Sequence, residues 1–152
     1  MSFYKFDVYN DGRCSASYSV YEKSDTANFA VDDIMDYAAD HNIDINRIAC
    51  INNIDIDYTN TDYALKTIKR VVNEIKLKGI KIIIARYGAR SDEFIHNRDE
   101  SVKRIGDIGY LFVRSGFIPF NDLCKFEWSI PYIYVDEDSK DIVKLLIQDS
   151  LY

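Results

Sequence analysis

The sequence predicts a mixed α/β fold in which an antiparallel hairpin leads into a parallel pair of strands joined by a helix. Period-two alternation of apolar and polar residues flanks Asn10-Asp11-Gly12, which is a turn signal typical of a hairpin. A segment of helical length separates two strand-like stretches, 47–57 and 80–87, which makes them parallel neighbours. The predicted element order is ββαβαβαββα, and this is not the strict alternation of a doubly wound sheet.

The hairpin and the first helix each have one apolar face. In the hairpin, apolar side chains alternate with a serine-rich face, so one face is expected to be buried and the other to be wet or functional. The apolar positions are Tyr4, Phe6, Val8, Cys14, Ala16, Tyr18 and Val20. Segment 24–42 follows as an amphipathic helix, with Phe29, Ile34, Tyr37 and Ala38 on one side.

The middle of the chain has the pattern of a strand, a crossover helix and a second strand. Ile48 to Ile51 is continuously apolar, as in a strand covered on both faces, whereas alternation begins at Asn53. We therefore expect the two parallel strands to separate at their carboxyl ends. The helix is predicted over residues 61–78, because apolar residues recur there at helical spacing and Gly79 is a good helix stop.

The last third of the chain predicts a helix over 99–115, two further strands and a terminal helix over 138–152. The helix ends at Gly116, and the segments "FIPF" and "CKFEWSIPYIYV" supply the strands. The segment "DSKDIVKLLIQDSLY" has an Asp/Ser cap and forms the terminal helix.

Composition and charge limit the function classes. The 152 residues fit one domain, and no stretch approaches the roughly 20 apolar residues of a membrane span, so we expect a cytoplasmic protein without a signal peptide. The net charge of −6 disfavours nucleic acid as a partner. Cys14, Cys50 and Cys124 lie far apart, which argues against a metal site and predicts small buried hydrophobes.

Two stretches resemble the GNAT N-acetyltransferase superfamily. The first is "IDIDYTNTDYALKTIKRVVNEIKLKGIKIII", where the family has a strand, a Gln/Arg-x-x-Gly-x-Gly/Ala loop, a helix ending in glycine and a parallel strand. Counting back from Gly79 places that loop on residues 59–64. The second is "YLFVRSGFIPF", which is similar to the family's Leu-Tyr-x-x-x-Gly-Phe ending of the next helix. The resemblance covers residues 47–120 and implies a GNAT-like mixed sheet.

The resemblance implies acetyl-coenzyme A as cofactor, bound at the start of the crossover helix. Backbone N–H groups of the family loop bind the pyrophosphate, helped by the positive helix end. The implied cofactor-binding residues are Ile56, Tyr58, Thr59, Asn60, Thr61, Asp62, Tyr63, Ala64 and Lys69. Lys69, with Lys66 and Arg70, would meet the ribose 3′-phosphate, unless this is an ordinary solvated helix face. Only Ala64 keeps the small residue of the motif, and Asp62 stands where a glycine is expected.

The resemblance also implies where catalytic groups would lie. Asp55 and Asp57 at the strand end, with His96 in a later loop, would remove a proton from the amine. The alternative is a solvated strand end and an exposed histidine. Many family members place a tyrosine acid four residues before the glycine, where this chain has Phe112. Tyr110 lies about 200° around the helix from that position and is expected in the core.

Two classes of function follow from these features. One is an acetyl-coenzyme-A-dependent transferase that acts on an amine of a small molecule or protein. The other is a pseudoenzyme with the same fold that binds a protein partner or a second copy of itself, and a small-ligand sensor is a third interpretation. Asp62, Phe112 and the loop without glycine favour the binding protein. The intact spacing, the acidic strand end and the basic helix face favour a retained cofactor site, and with it the enzyme.

Overall fold

The computed structural model describes residues 2–7, 15–22, 29–40, 42, 45–55, 60–88, 98–119 and 129–135. Within these ranges the chain forms six strands and three helices. In chain order they are β1 (Ser2–Asp7), β2 (Ser15–Glu22), α1 (Phe29–Asp40), β3 (Arg47–Asp55), α2 (Thr61–Lys76), β4 (Ile82–Gly88), α3 (Arg98–Arg114), β5 (Ile118–Pro119) and β6 (Ser129–Val135). Among the described helices, none combines the length and the apolar character that a membrane crossing needs.

All six strands belong to one mixed sheet with the order β1-β2-β3-β4-β6-β5. The β3–β4 pair is parallel, and the other neighbouring pairs are antiparallel. The predicted mixed α/β fold is therefore confirmed: an antiparallel hairpin precedes a parallel pair with a crossover helix, and two more strands follow. The terminal helix predicted over 138–152 lies outside the described residues.

The sheet is covered on both faces, which explains the unbroken apolar stretch in β3. Ala49 and Ile51 belong to a core cluster that includes buried residues of α2 and α3. Ile48 and Cys50 belong to a second cluster, which includes Ile34 and Met35 of α1. Because successive strand residues point to opposite faces, an apolar residue is needed at every position of such a strand.

A β-bulge interrupts the pairing between β2 and β3. Tyr18 lies opposite Ile51, but its neighbour Ser17 lies opposite Asn53, so Asn52 is an extra residue on β3. The extra residue changes the phase of the strand, and Ile54 packs against the same core cluster as Ile51. A bulge of this kind bends its strand and increases the local twist.

Helix α2 has a strongly one-sided pattern and connects the parallel strands. Its buried residues recur at helical spacing and face the sheet; they are Ala64, Thr67, Ile68, Val71, Val72 and Ile75. The chain turns after the helix at Gly79, whose φ of 78° favours glycine. The predicted helix and its stop are thus confirmed within two residues.

The carboxyl-terminal half of α2 is tied to the hairpin by a polar and aromatic cluster. The buried phenol of Tyr18 donates a hydrogen bond to Glu74. Glu74 lies 3.5 Å from the Lys78 ammonium, which stands 4.2 Å from the ring centroid of Tyr4. Burial, reinforced by the Glu74 carboxylate, raises the pKa of Tyr18 far above its usual value, so the phenol stays protonated. Ser19 is also buried, so the serine face of β2 is wet only in part.

Helix α3 packs closely on β6 through a glycine. A Cβ at Gly109 would overlap the hydroxyl of Tyr132 and lie 3.0 Å from its ring carbon Cζ. Phe112, one turn later, is also buried. The expectation that Tyr110 lies in the core is wrong: 59% of it is exposed, and Arg114 lies 5.7 Å from its ring centroid. The reason is the helical rotation, which turns Tyr110 away from the buried side on which Phe112 lies.

Candidate functional site

The parallel strands β3 and β4 separate at their carboxyl ends, as predicted. Their pairing comprises Ala49 with Ile83, Cys50 with Ile84, and Ile51 with Ala85, and it stops there. Beyond this point residues 52–55 of β3 continue against β2. Residues 86–88 of β4 continue against β6. The result is a gap between two strands that are each held by an outer neighbour.

The bulge at Asn52 explains why the strands separate at this position. It lies directly after Ile51, the last residue of β3 that pairs with β4. The bend takes β3 away from β4 while β3 keeps its pairing with β2. Backbone groups that would otherwise pair across the sheet therefore line the gap, which is the arrangement into which an extended ligand can hydrogen-bond.

Helix α2 begins at the same edge of the sheet, shortly after the described part of β3 ends at Asp55. Asn60 caps the helix in an extended conformation, with φ of −103° and ψ of 95°. Its side-chain Oδ1 accepts the N–H of Tyr63 at 3.2 Å, and its carbonyl accepts the N–H of Ala64 at 3.0 Å. This is the usual way in which an asparagine satisfies the first amides of a helix.

The cap decides which amides of the first turn a ligand can meet. The N–H groups of Tyr63 and Ala64 are already used within the helix, so among the first amides those of residues 60–62 are the ones to which helix geometry gives no partner inside the helix. None of the residues 60–64 has a positive φ, so this part of the turn does not require a glycine. Ala64 is fully buried in the core, where its small side chain lets α2 approach the sheet.

The exposed side of α2 combines one carboxylate with several cations. Asp62 lies in the first turn, where a negative charge favours the helix but repels a bound anion. Lys66 and Lys69 follow four and seven residues later and therefore share its side of the helix. Lys69 lies about 12 Å along the helix axis from Thr61, and Arg70 is exposed beside it.

The structure describes some of the predicted site residues, and the others lie outside the described residues. Asp55 is the last residue of β3, opposite Ser15, at the edge of the sheet where α2 begins. The described members of the predicted cofactor set are Asn60, Thr61, Asp62, Tyr63 and Ala64 in the first turn, and Lys69 in the middle of the helix. Ile56, Asp57, Tyr58, Thr59 and His96 lie outside the described residues.

Phe112, at the position where the resemblance implies a tyrosine acid, is a packing residue. Its ring stacks on Tyr132 at 5.5 Å and meets the edge of Phe117 at 5.1 Å. Tyr132 itself lies opposite Ala85, the last residue of β4 that pairs with β3. The aromatic cluster thus supports the base of the gap from the α3 side of the sheet.

Sequence reasoning missed the two features that shape the gap, the bulge and the contact of Tyr132 with Gly109. A signal for the bulge is present, since Ile51 and Ile54 are three residues apart and still share a core. Nothing in the local sequence links Gly109 to Tyr132. Across the described residues, no group of three or more His, Cys, Asp and Glu is placed to hold a metal ion.

Comparison with known proteins gives one structural likeness. No protein-family model matches the chain. No curated protein matches it. A similar solved structure is a protein of the yellow fever mosquito that is named as a putative arylalkylamine N-acetyltransferase 7, with 12% identity and a TM-score of 0.46. The alignment covers 81% of this chain and 58% of that protein, so the chain spans little more than half of its length.

Proposed function

We propose that the gap between β3 and β4 receives the pantetheine arm of an acyl donor such as acetyl-coenzyme A. The chain then transfers the acyl group to an amine of a small molecule or protein. The observation that carries this proposal is the end of the parallel pairing at Ile51 and Ala85, while both strands continue against their outer neighbours. A gap of this kind exposes backbone hydrogen-bonding groups in the middle of a sheet.

The residues around the gap fit such a donor in two respects. The pantetheine arm is an extended chain with two amides, which can pair with the backbone of residues 52–55 and 86–88 as an added strand would. The phosphate end suits the amides of residues 60–62 at the positive end of α2. We assign Ile56, Tyr58 and Thr59, which lead into the helix, to the same end of the donor.

The chemistry that the chain itself supplies is proton removal and positioning. When bound, the donor provides an acyl group activated as a thioester. Asp55 and Asp57, with His96, accept a proton from the attacking amine, directly or through water. Phe112 has no proton to return to the leaving group, so we expect slow turnover. A lost general acid typically lowers a rate by about 10²–10⁴-fold.

Replacing Asp62 tests the donor site. Asp62→Asn should tighten acetyl-coenzyme A binding by about two- to fivefold, because one surface charge near a helix start contributes about 0.3–1 kcal/mol. Isothermal titration calorimetry at low salt measures this. Asp107→Asn, which removes an exposed carboxylate from α3, is the matched control and should leave binding unchanged. If neither the natural chain nor Asp62→Asn binds at millimolar ligand, the gap does not receive coenzyme A.

A second candidate function is a binding protein that has lost the reaction. The observation in its favour is the burial of Phe112 between Phe117 and Tyr132, where the resemblance implies an acid. An acetylation assay with a panel of amines separates the two functions.

For the enzyme, Asp55→Asn should lower turnover by about 10²-fold or more, whereas Asp107→Asn should not. If no amine is acetylated and a protein co-purifies equally well with the natural chain and Asp55→Asn, the binding function is the better description.

A further inference from the structure

We infer that the exposed basic stripe of α2 docks a small acidic protein that carries the acyl group on a phosphopantetheine arm. The basic stripe consists of Lys66 and Lys69 with the neighbouring Arg70. A carrier-linked thioester is then preferred over free acyl-coenzyme A. This inference rests on the proposed function of the gap and specifies the donor that the gap receives.

The charge distribution is the first argument for an acidic partner. The whole chain carries a net charge of −6, yet beyond Asp62 the next three exposed residues of α2, Lys66, Lys69 and Arg70, are all cations. All three cationic residues lie on the solvent side of the helix, whereas Thr67 and Ile68 between them are buried. An acidic protein would be repelled by the chain as a whole and attracted at this stripe. Such a contrast orients an encounter and accelerates it.

The position of the stripe is the second argument. It begins about one turn after the start of α2, the helix end to which we assign the donor phosphate. An arm that enters the gap from this edge leaves the protein to which it is attached beside the first turns of α2. Lys66 and Lys69 lie about 7.5 and 12 Å along the axis from Thr61, so both would face the body of a carrier.

The first turn of α2 is the third argument, because it suits one phosphate better than the phosphates of coenzyme A. Asn60 already uses the N–H groups of Tyr63 and Ala64. The carboxylate of Asp62 stands in the same turn and repels anions. Free coenzyme A brings a pyrophosphate and a 3′-phosphate to this place, whereas a carrier-linked arm brings one phosphodiester. One phosphodiester needs fewer N–H donors than the phosphates of coenzyme A, and this fits the few N–H groups that the cap leaves in the first turn.

The test compares four probes on the natural full chain by calorimetry. They are 4′-phosphopantetheine, dephospho-coenzyme A, coenzyme A and a bacterial acyl carrier protein that bears the phosphopantetheine arm. The carrier protein with its phosphopantetheine arm should bind at least about tenfold more tightly than free 4′-phosphopantetheine, and its affinity should fall steeply as the salt concentration rises.

Charge reversal of the basic stripe identifies the docking surface. The double variant Lys66→Glu/Lys69→Glu should lower the affinity for the carrier protein by about tenfold or more, and it should leave the affinity for 4′-phosphopantetheine unchanged. The control variant Lys81→Glu/Lys103→Glu changes the net charge by the same amount as the first variant, at two exposed lysines outside the basic stripe. It should lower the affinity for the carrier protein much less. Circular dichroism establishes that both variants are folded.

Three results would overturn the inference. In the first, the carrier protein binds no more tightly than 4′-phosphopantetheine. In the second, both double variants lower the affinity for the carrier protein equally. In the third, the basic stripe binds the 3′-phosphate of coenzyme A. In the third case Lys66→Glu/Lys69→Glu lowers the affinity for coenzyme A but not the affinity for dephospho-coenzyme A. These results leave the proposed function standing if phosphopantetheine binds. If none of the four probes binds the natural chain, the proposed function fails, and this inference fails with it.

Discussion

Gly109→Ala is expected to destabilise the protein by about 1–2 kcal/mol on balance, although alanine is the better helix former. The added methyl group would overlap the hydroxyl of Tyr132 and approach its Cζ to 3.0 Å. Tyr132 is 6% exposed and stacks on Phe112, so its ring cannot move aside without disturbing the core. We therefore expect the cost of overpacking to be about 2–3 kcal/mol, which exceeds the gain in helix propensity of about 1 kcal/mol.

The same helix offers a matched control and a rescue. Gly106 lies in α3, and among the described residues no neighbouring atom comes within 4 Å of the position where a Cβ would stand. Gly106→Ala should therefore stabilise the protein by about 0.5–1 kcal/mol. Tyr132→Phe in the Gly109→Ala background removes the overlapping hydroxyl and should restore part of the loss. Chemical denaturation followed by circular dichroism measures all three. If alanine changes the free energy of unfolding equally at both glycines, the contact with Tyr132 does not require a glycine at position 109.

The contact between α3 and β6 also bears on the gap. Tyr132 lies opposite Ala85, and Ala85 is the last residue of β4 that pairs with β3. Packing of α3 on Tyr132 therefore holds β4 and β6 together at the level where β3 separates from them. The β4–β6 pairing continues through residues 86–88 and therefore forms one side of the gap where β3 bends away.

Much of the fold was predictable because its signals are local. The apolar residues of α2 recur at helical spacing, and Gly79 ends the helix where its positive φ is needed. The unbroken stretch from Ile48 to Ile51 indicated a strand covered on both faces, which the two core clusters confirm. The prediction for Tyr110 is wrong because an aromatic side chain is buried only if it lies on the buried side of its helix, and Tyr110 is rotated away from the side on which Phe112 lies.

The candidate site was less predictable because its geometry depends on pairing between distant residues. The bulge at Asn52 exists only in relation to Ser17 and Tyr18 of another strand. The cap at Asn60 is a common local pattern, but the sequence alone does not show that the Oδ1 of Asn60 takes the amide of Tyr63. Local patterns thus predict the edge of the sheet at which the gap lies. They do not predict the bulge that bends β3 or the amide that the Asn60 cap uses.

Deletion of Asn52 is expected to close the gap while the fold remains stable. Without this residue the β2–β3 pairing can run without interruption from Tyr18–Ile51 to Ser17–Asn53, and the later pairs keep their partners. We therefore expect the free energy of unfolding to change by less than about 1 kcal/mol. A straightened β3 continues beside β4 beyond Ala85, and its backbone groups pair with that strand instead of with a ligand. Binding of 4′-phosphopantetheine or acetyl-coenzyme A should then weaken by about tenfold or more.

The substitution Asn52→Ala separates the backbone from the side chain at the same position. It keeps the extra residue, and with it the bend in β3, so the donor should still bind as it does to the natural chain. Calorimetry for binding and chemical denaturation for stability compare the deletion, the substitution and the natural chain. If the deletion binds the donor with undiminished affinity, the bulge does not open the gap. If the deletion unfolds the chain, the bulge is required for β3 to pack. If Asn52→Ala loses binding as completely as the deletion, the side chain of Asn52 contacts the donor, and the bend is not the feature that matters.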